Sequence, residues 1–280
     1  MALPIPKENT TAIVTGSSSG IGAEISRQLA RRGFGVTLVA RREDRLKELA
    51  DELAQTHRVR TEVIAADLTD AHSRAELTGQ VEARGLTVDI LVNNAGFTTM
   101  GPVHRADRDA ELAMIRTDVE AVVDLCTLFV PGMVTRRHGA VLNTASTAAF
   151  QPLPGQAGYG ASKAFVLSYS RALGAELRGT GVTVTALCPG PVETGFADAA
   201  GITDEEAGES LPKFMWVPVA AVAKEAVDGL AAGRPVVIPG MANRAAAGLA
   251  HLAPKALILP LLASQHPAMK EPPGPSSPKG

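Results

Sequence analysis

A chain of 280 residues with 45% apolar and 20% charged side chains has the material for one large core, which excludes a disordered or fibrous protein. A formal net charge of -2 excludes the basic balance of a nucleic-acid binder, so a small molecule is the expected partner. The opening segment, MALPIPKENT, has no apolar run of signal-peptide length and no run of about 20 apolar residues follows, so a cytoplasmic protein is expected. Cys126 and Cys188 lie within apolar runs and read as small buried hydrophobes, and the scattered histidines show no zinc spacing, so no metal is expected.

After a lead-in over residues 1–10, residues 11–15 (TAIVT) predict a first strand. The strand runs into Gly16, Ser17, Ser18, Ser19, Gly20, Ile21 and Gly22, and then into a helix whose Ile21, Ile25 and Leu29 recur every four residues and whose end Gly33 caps. A nucleotide-binding turn must reverse sharply, let a pyrophosphate approach the backbone and pack a helix tightly on a strand, and glycine meets all three demands. The spacing here is G-x-x-x-G-x-G rather than the commoner G-x-G-x-x-G. Residues 35–40 predict the second strand, with Arg41 and Arg42 at its end. An acidic residue there would hold a ribose 2′-hydroxyl, whereas arginine pairs with a 2′-phosphate, so NADP(H) is favoured over NAD(H). The competing reading makes both arginines the solvated start of a helix whose core stripe is Leu46, Leu49 and Leu53. Residues 63–66 predict a third strand, and Asp67 at its end either caps the next helix or meets an adenine.

Residues 88–92 (VDILV) read as a parallel-type strand ending in Asn93, Asn94, Ala95 and Gly96, small and amide residues that let a chain pass close to a ligand. A long helix is expected over residues 106–130, broken at Pro131. Residues 140–145 form the fifth strand, just before Ser146, and the following helix carries Tyr159 and Lys163 one turn apart on one face. A lysine beside a phenol favours the phenolate, which suits proton transfer, and Ser146 would bind the carbonyl oxygen that Tyr159 protonates if strand and helix are neighbours. A Tyr-x-x-x-Lys pair alone is weak, because a packed tyrosine under a solvated lysine is commoner. Residues 181–187 and 235–238 complete the strands. The alternation predicts an α/β fold, one parallel sheet with helices on both faces, in a single domain over residues 11–240.

Taken together and in order, TGSSSGIG at 15–22, Asp67, NNAG at 93–96, Ser146, Tyr159 with Lys163, and PGPVET at 189–194 resemble the short-chain dehydrogenase/reductase family in its compact form. The resemblance implies a Rossmann-like, doubly wound, seven-stranded sheet, a nicotinamide cofactor, hydride transfer between an alcohol and a ketone or aldehyde, and a homodimer or homotetramer. It makes Tyr159 the general acid or base, Ser146 the group that orients the substrate oxygen, and Lys163 the ribose ligand that lowers the tyrosine pKa. Cofactor contacts implied by it are Gly16, Ser18, Ser19, Gly20, Ile21, Arg41, Arg42, Asp67, Leu68, Asn94, Ala95, Gly96, Tyr159, Lys163, Pro189, Gly190, Val192 and Thr194. One position departs from the pattern: where the family has an asparagine that supports a water relay from the lysine, this chain has Asp118, whose charge would favour protonated lysine and oppose phenolate formation.

Residues 194–217 stop alternating and are expected to close over a site, with Phe196, Leu211, Phe214, Met215 and Trp216 as an apolar inner surface facing residues 150–154 (FQPLP), hence an apolar substrate. The competing reading has residues 214–217 anchor the loop to the core. The leucine-rich extension over 241–266 is expected to pack on this loop or on a sister subunit, with peripheral membrane contact as the alternative. Residues 267–280 hold five prolines in fourteen residues and read as a disordered tail. An NADP-binding sensor or scaffold with weakened catalysis remains the functional alternative, and a nucleotide-sugar epimerase is disfavoured for want of a C-terminal substrate domain.

Overall fold

A computed structural model describes residues 3–192, 212–252, 259–260 and 269. Its seven strands are β1 (Thr10–Thr15), β2 (Val36–Ala40), β3 (Thr61–Ala65), β4 (Thr87–Asn93), β5 (Gly139–Thr144), β6 (Val182–Leu187) and β7 (Val236–Val237). They form one parallel sheet in the order β3-β2-β1-β4-β5-β6-β7. The helices are α1 (Gly20–Ala30), α2 (Glu43–His57), α3 (Ala71–Ala83), α4 (Arg108–Ile115), α5 (Ala121–Arg136), α6 (Ala157–Glu176), α7 (Val219–Ala231) and α8 (Met241–Leu252).

Strand residues alternate between two buried layers, as the period of a strand requires. Ala12, Val14, Leu38, Ile90, Val92 and Leu142 face Leu29 of α1, Leu46 and Leu53 of α2 and Val222 of α7. Ile13, Val39, Leu91 and Val141 face Leu77 of α3 and Leu125 and Met133 of α5 on the other side. With both faces covered, each central strand reads as a continuous apolar run, which is why the expected strands agree with the observed ones to within two residues. Chain order reverses between β1 and β4, so the crevice of a doubly wound sheet opens at their carboxyl ends, beside Gly16 and Asn94.

The long helix differs from its expectation. It starts at Arg108 behind an Asp107 cap, passes through one turn of π-helix over Arg116–Glu120, and continues without a break through Pro131 to Arg136. Pro131 is exposed while Phe129, Val130 and Met133 are buried, so packing on both sides of the proline outweighs the lost backbone bond. Arg74 is the second surprise. Only 2% exposed, it pairs with Glu120 and, at 2.6 Å, with Asp124, and donates to the Leu68 carbonyl at 2.8 Å, locking α3 to α5.

Candidate active site

The glycine turn is held by Thr15, a residue whose part the sequence did not disclose. Its Oγ1 accepts from the Asn94 and Ala95 amides at 2.9 and 3.0 Å and donates to the Val92 carbonyl at 3.2 Å, while Asn94 Nδ2 donates to the Thr15 carbonyl at 3.1 Å. The turn after β1 and the turn after β4 are therefore one unit. A Cβ at Gly22 would lie 2.4 Å from the Gly16 carbonyl oxygen and 2.5 Å from Asn94 Nδ2, so only glycine lets α1 begin this close to the strand ends. Among the described residues, Ser19 at the N-cap of α1 makes no side-chain cap bond and Ser17 Oγ is buried without a partner, which leaves the amino end of an 11-residue helix open to an anion.

Arg42 folds across this turn. Its Nη2 donates to Ser18 Oγ at 3.1 Å and to Ser19 Oγ at 3.0 Å, whereas Arg41 is exposed and makes no hydrogen bond or ion pair among the described residues. The two expected arginines are thus unequal. Asp67 does not cap α3: Asp70 does, accepting from His72 and Ser73, while Asp67 accepts from the amide and hydroxyl of Thr69 at 2.9 Å each. Two residues separate the two aspartates, and the helix starts nearer the second. Leu68 is buried beside them with its carbonyl taken by Arg74.

At the end of β5, Ser146 is in extended backbone and caps the short 3-10 turn Thr147–Phe150, accepting from the Ala148 amide at 3.1 Å. Its hydroxyl stands close enough to the Tyr159 phenol to help lower that group's pKa, so strand and helix do bring the expected pair together. Lys163 Nζ lies 5.6 Å from the centre of the Tyr159 ring, donates to the Thr144 carbonyl at 3.2 Å, and pairs with Asp118 Oδ2 at 2.9 Å. Asp118 is 0% and Lys163 4% exposed, and Asp118 Oδ1 accepts from the Phe97 amide at 3.1 Å. Gly96 passes beside the paired charges, where a Cβ would stand 2.9 Å from Asp118 Oδ1 and 3.1 Å from Lys163 Nζ. Burial pulls the Lys163 pKa down, but the charges of Asp118 and Tyr159 outweigh it and hold the lysine above its ordinary value. Burial pushes the Tyr159 phenol up; Lys163 and Ser146 pull it back, and Asp118 adds to the rise. The Asp118 carboxyl is itself raised by burial, against the pull of Lys163 and the Phe97 amide.

A phenol, an ammonium and a hydroxyl thus meet near the carboxyl ends of β4 and β5. The family model described as short chain dehydrogenase matches residues 10–205. This chain belongs to the short-chain dehydrogenase family. A short chain dehydrogenase of Pseudocercospora fijiensis is 39% identical over 189 residues, 67% of this chain and 61% of that protein, so the match spans less than two thirds of the relative's length. NADP-dependent 3-hydroxy acid dehydrogenase YdfG of Escherichia coli is 38% identical over 181 residues, 64% of this chain and 71% of its own. The solved structure of a short-chain dehydrogenase from Sphingobium yanoikuyae in complex with NADPH superposes with a TM-score of 0.76 at 31% identity, covering 95% of this chain and 99% of that one.

In this short-chain dehydrogenase the turn after β6 closes the site from the far side. The Pro189 carbonyl accepts from the Thr147 amide at 2.9 Å and the Pro191 carbonyl from the Val217 amide at 3.1 Å, while Val192 packs against the core. Thr194, Phe196 and Leu211 lie outside the described residues, as do most of the loop over 194–217 and nearly all of the tail over 267–280. Of the residues expected to form an apolar inner surface, Phe214 departs from the expectation in being 74% exposed, while Met215 and Trp216 are half-buried. The wall over 150–154 lines a largely apolar cavity of about 440 Å³ with Ala157, Ala161 and Ala164 of α6, and none of Ser146, Tyr159 or Lys163 opens into it. Gln156, which the sequence did not single out, donates to Thr98 Oγ1 at 2.8 Å and ties the segment after Gly96 to the start of α6. Cys126 and Cys188 are buried, with thiols pushed up to about 11 and about 12 by burial, as inert hydrophobes should be.

Proposed function

We propose that this short-chain dehydrogenase is an NADP(H)-dependent oxidoreductase that interconverts an alcohol with a ketone or aldehyde, and the observation that carries the reading is Tyr159 set between the Ser146 hydroxyl and the Lys163 ammonium. NADP(H) supplies the hydride when bound. Its pyrophosphate fits the open amino end of α1 at Gly16, Gly20 and Ile21, and its 2′-phosphate fits Arg42 with Ser18 and Ser19. Asp67 and Leu68 suit the adenine side, and Asn94, Ala95, Gly96, Pro189, Gly190 and Val192 suit the nicotinamide side. The NADP-dependent relative and the NADPH-bound neighbour support this choice over NAD(H).

In reduction, Ser146 holds the substrate oxygen, Tyr159 gives it a proton, and Lys163 stabilises the phenolate that remains. The Thr144 carbonyl and Asp118 fix the ammonium in place. The apolar substrate of this reading rests on the composition of residues 150–154 and 214–217 alone, since the cavity that the first of these segments lines is separate from Ser146, Tyr159 and Lys163. No helix among the described residues is long and apolar enough to cross a membrane, and the reading is of a cytoplasmic homodimer or homotetramer, with Phe165 of α6, 42% exposed and stacked on Tyr169, offered as a subunit contact. The second reading, a cofactor-binding sensor with weakened catalysis, draws on the buried Asp118 charge beside Lys163.

The test is consumption of NADPH and NADH over a panel of apolar ketones and aldehydes, for the natural chain and for Arg42→Ala. Turnover with NADPH is expected, and Arg42→Ala should raise its dissociation constant about tenfold or more, since bonds to a charged group contribute about 1.5–3 kcal/mol, while NADH changes little. Equal losses for both cofactors would return Arg42 to a purely structural part in α2. Asp118→Asn separates the two readings further. Removing a negative charge beside the Tyr159 and Lys163 pair lowers the pKa at which the pair gives up its proton, and oxidation needs the phenolate. The pH-rate profile for alcohol oxidation should therefore move toward acid, by on the order of one pKa unit, about 1.4 kcal/mol. A shift toward alkali would contradict the assigned charge.

A further inference from the structure

We infer that Asn243 of α8 is a positioning residue for the cofactor turn, acting through Gly190, and this rests on the proposed reading of residues 189–192 as the seat of the nicotinamide. Asn243 is 1% exposed. Its Nδ2 donates to the Met215 carbonyl at 3.0 Å and to the Pro239 carbonyl at 3.1 Å, so one amide joins the turn Lys213–Met215 to the end of β7. Its other face lies on the turn after β6: a Cβ at Gly190 would stand 2.4 Å from Asn243 Oδ1 and 2.5 Å from its Cγ. That contact fixes how far the Pro189–Gly190 peptide can drift outward. The backbone bond from Val217 to Pro191 runs alongside, so the two described segments that flank residues 193–211 are held together at one point.

The helix bearing Asn243 is itself tied down. Arg244 donates to the Ile238 carbonyl at 2.7 Å and pairs with Glu225 of α7 at 2.5 Å. The start of α8 thus transmits the rigidity of α7 and β7 to the turn, whose Pro189 and Pro191 carbonyls are otherwise held by the Thr147 and Val217 amides. An amide suits the position because it donates twice into carbonyls at the same depth; an aspartate of equal shape would set an acceptor against both. Since a displacement of about 1 Å in a reacting group can cost a hundredfold in rate, a loosened turn should act on hydride transfer rather than on cofactor affinity, most of which comes from the distant glycine turn and Arg42.

Two readouts test this on the full chain, Asn243→Ala and Asn243→Asp being compared with the natural protein. In the free protein, amide hydrogen exchange over residues 186–192 and 213–217 should quicken by about tenfold or more in both variants, with β1 and α1 unchanged. With NADPH and a reducible carbonyl, hydride transfer should fall by about 10- to 100-fold while the NADPH dissociation constant stays within about threefold. Should Asn243→Ala fail to fold, the isosteric Asn243→Asp decides. Unchanged exchange in both segments overturns the proposal, as does faster exchange with unaltered hydride transfer. If the natural protein turns over no carbonyl at all, the functional reading fails and the positioning role with it, while the exchange result still reports whether Asn243 holds the turn.

Discussion

Lys163→Met is expected to destabilise the protein by about 3–5 kcal/mol, because it leaves Asp118 buried and unpaired where an ion pair stood. For a chain of this size that corresponds to a fall in Tm on the order of 10 °C. The pH dependence follows from the carboxyl. Without the lysine, burial opposed only by the Phe97 amide sets the folded pKa of Asp118, which rises above its unfolded value. Below the unfolded pKa the group is neutral in both states and the variant is least impaired. As pH rises toward the folded pKa the unfolded state releases its proton more readily, so the deficit grows and then levels off. Adding Asp118→Asn to Lys163→Met removes the stranded charge and should restore most of the loss. Thermal or denaturant unfolding of the natural chain, the single variant and the double variant, each across pH, measures this. A single variant as stable as the natural chain at neutral pH would mean that Asp118 already carries a proton beside Lys163.

The sheet was legible because each strand between covered faces is a plain apolar run, and the turn after β1 because close packing at Gly22 tolerates no side chain. Ser146, Tyr159 and Lys163 were legible from spacing together with the order of motifs, and Asp118 from a departure at a position where the family pattern is specific. Asp118 lies 2.9 Å from Lys163, buried with it. What was hidden is tertiary. Thr15 looks like any strand-end threonine until two chain segments meet at its hydroxyl. Asp67 and Asp70 are equivalent as letters, and only the start of α3 chooses between them. Pro131 ended the helix on local grounds but not under the packing of Phe129, Val130 and Met133. Arg41 and Arg42 are adjacent and alike, yet only Arg42 reaches the serines of the turn. Asn243 stands in a leucine-rich extension with no motif around it, and its partners come from three separate segments.

Tyr159→Phe tests the central claim most directly. The substitution keeps the ring that packs beside Lys163 and removes only the hydroxyl near Ser146, so the fold and the glycine turn should be untouched. General acid catalysis by a positioned side chain contributes about 100- to 10,000-fold in rate, and carbonyl reduction by NADPH should fall by that factor. NADPH affinity should stay within a few-fold, since the pyrophosphate and 2′-phosphate sites lie at α1 and Arg42. The measurement is single-turnover NADPH oxidation with a ketone that the natural chain reduces, alongside direct titration of NADPH binding in both proteins. The account predicts a loss of two to four orders of magnitude in the chemical step at nearly constant affinity. Reduction by Tyr159→Phe at the rate of the natural chain would contradict it.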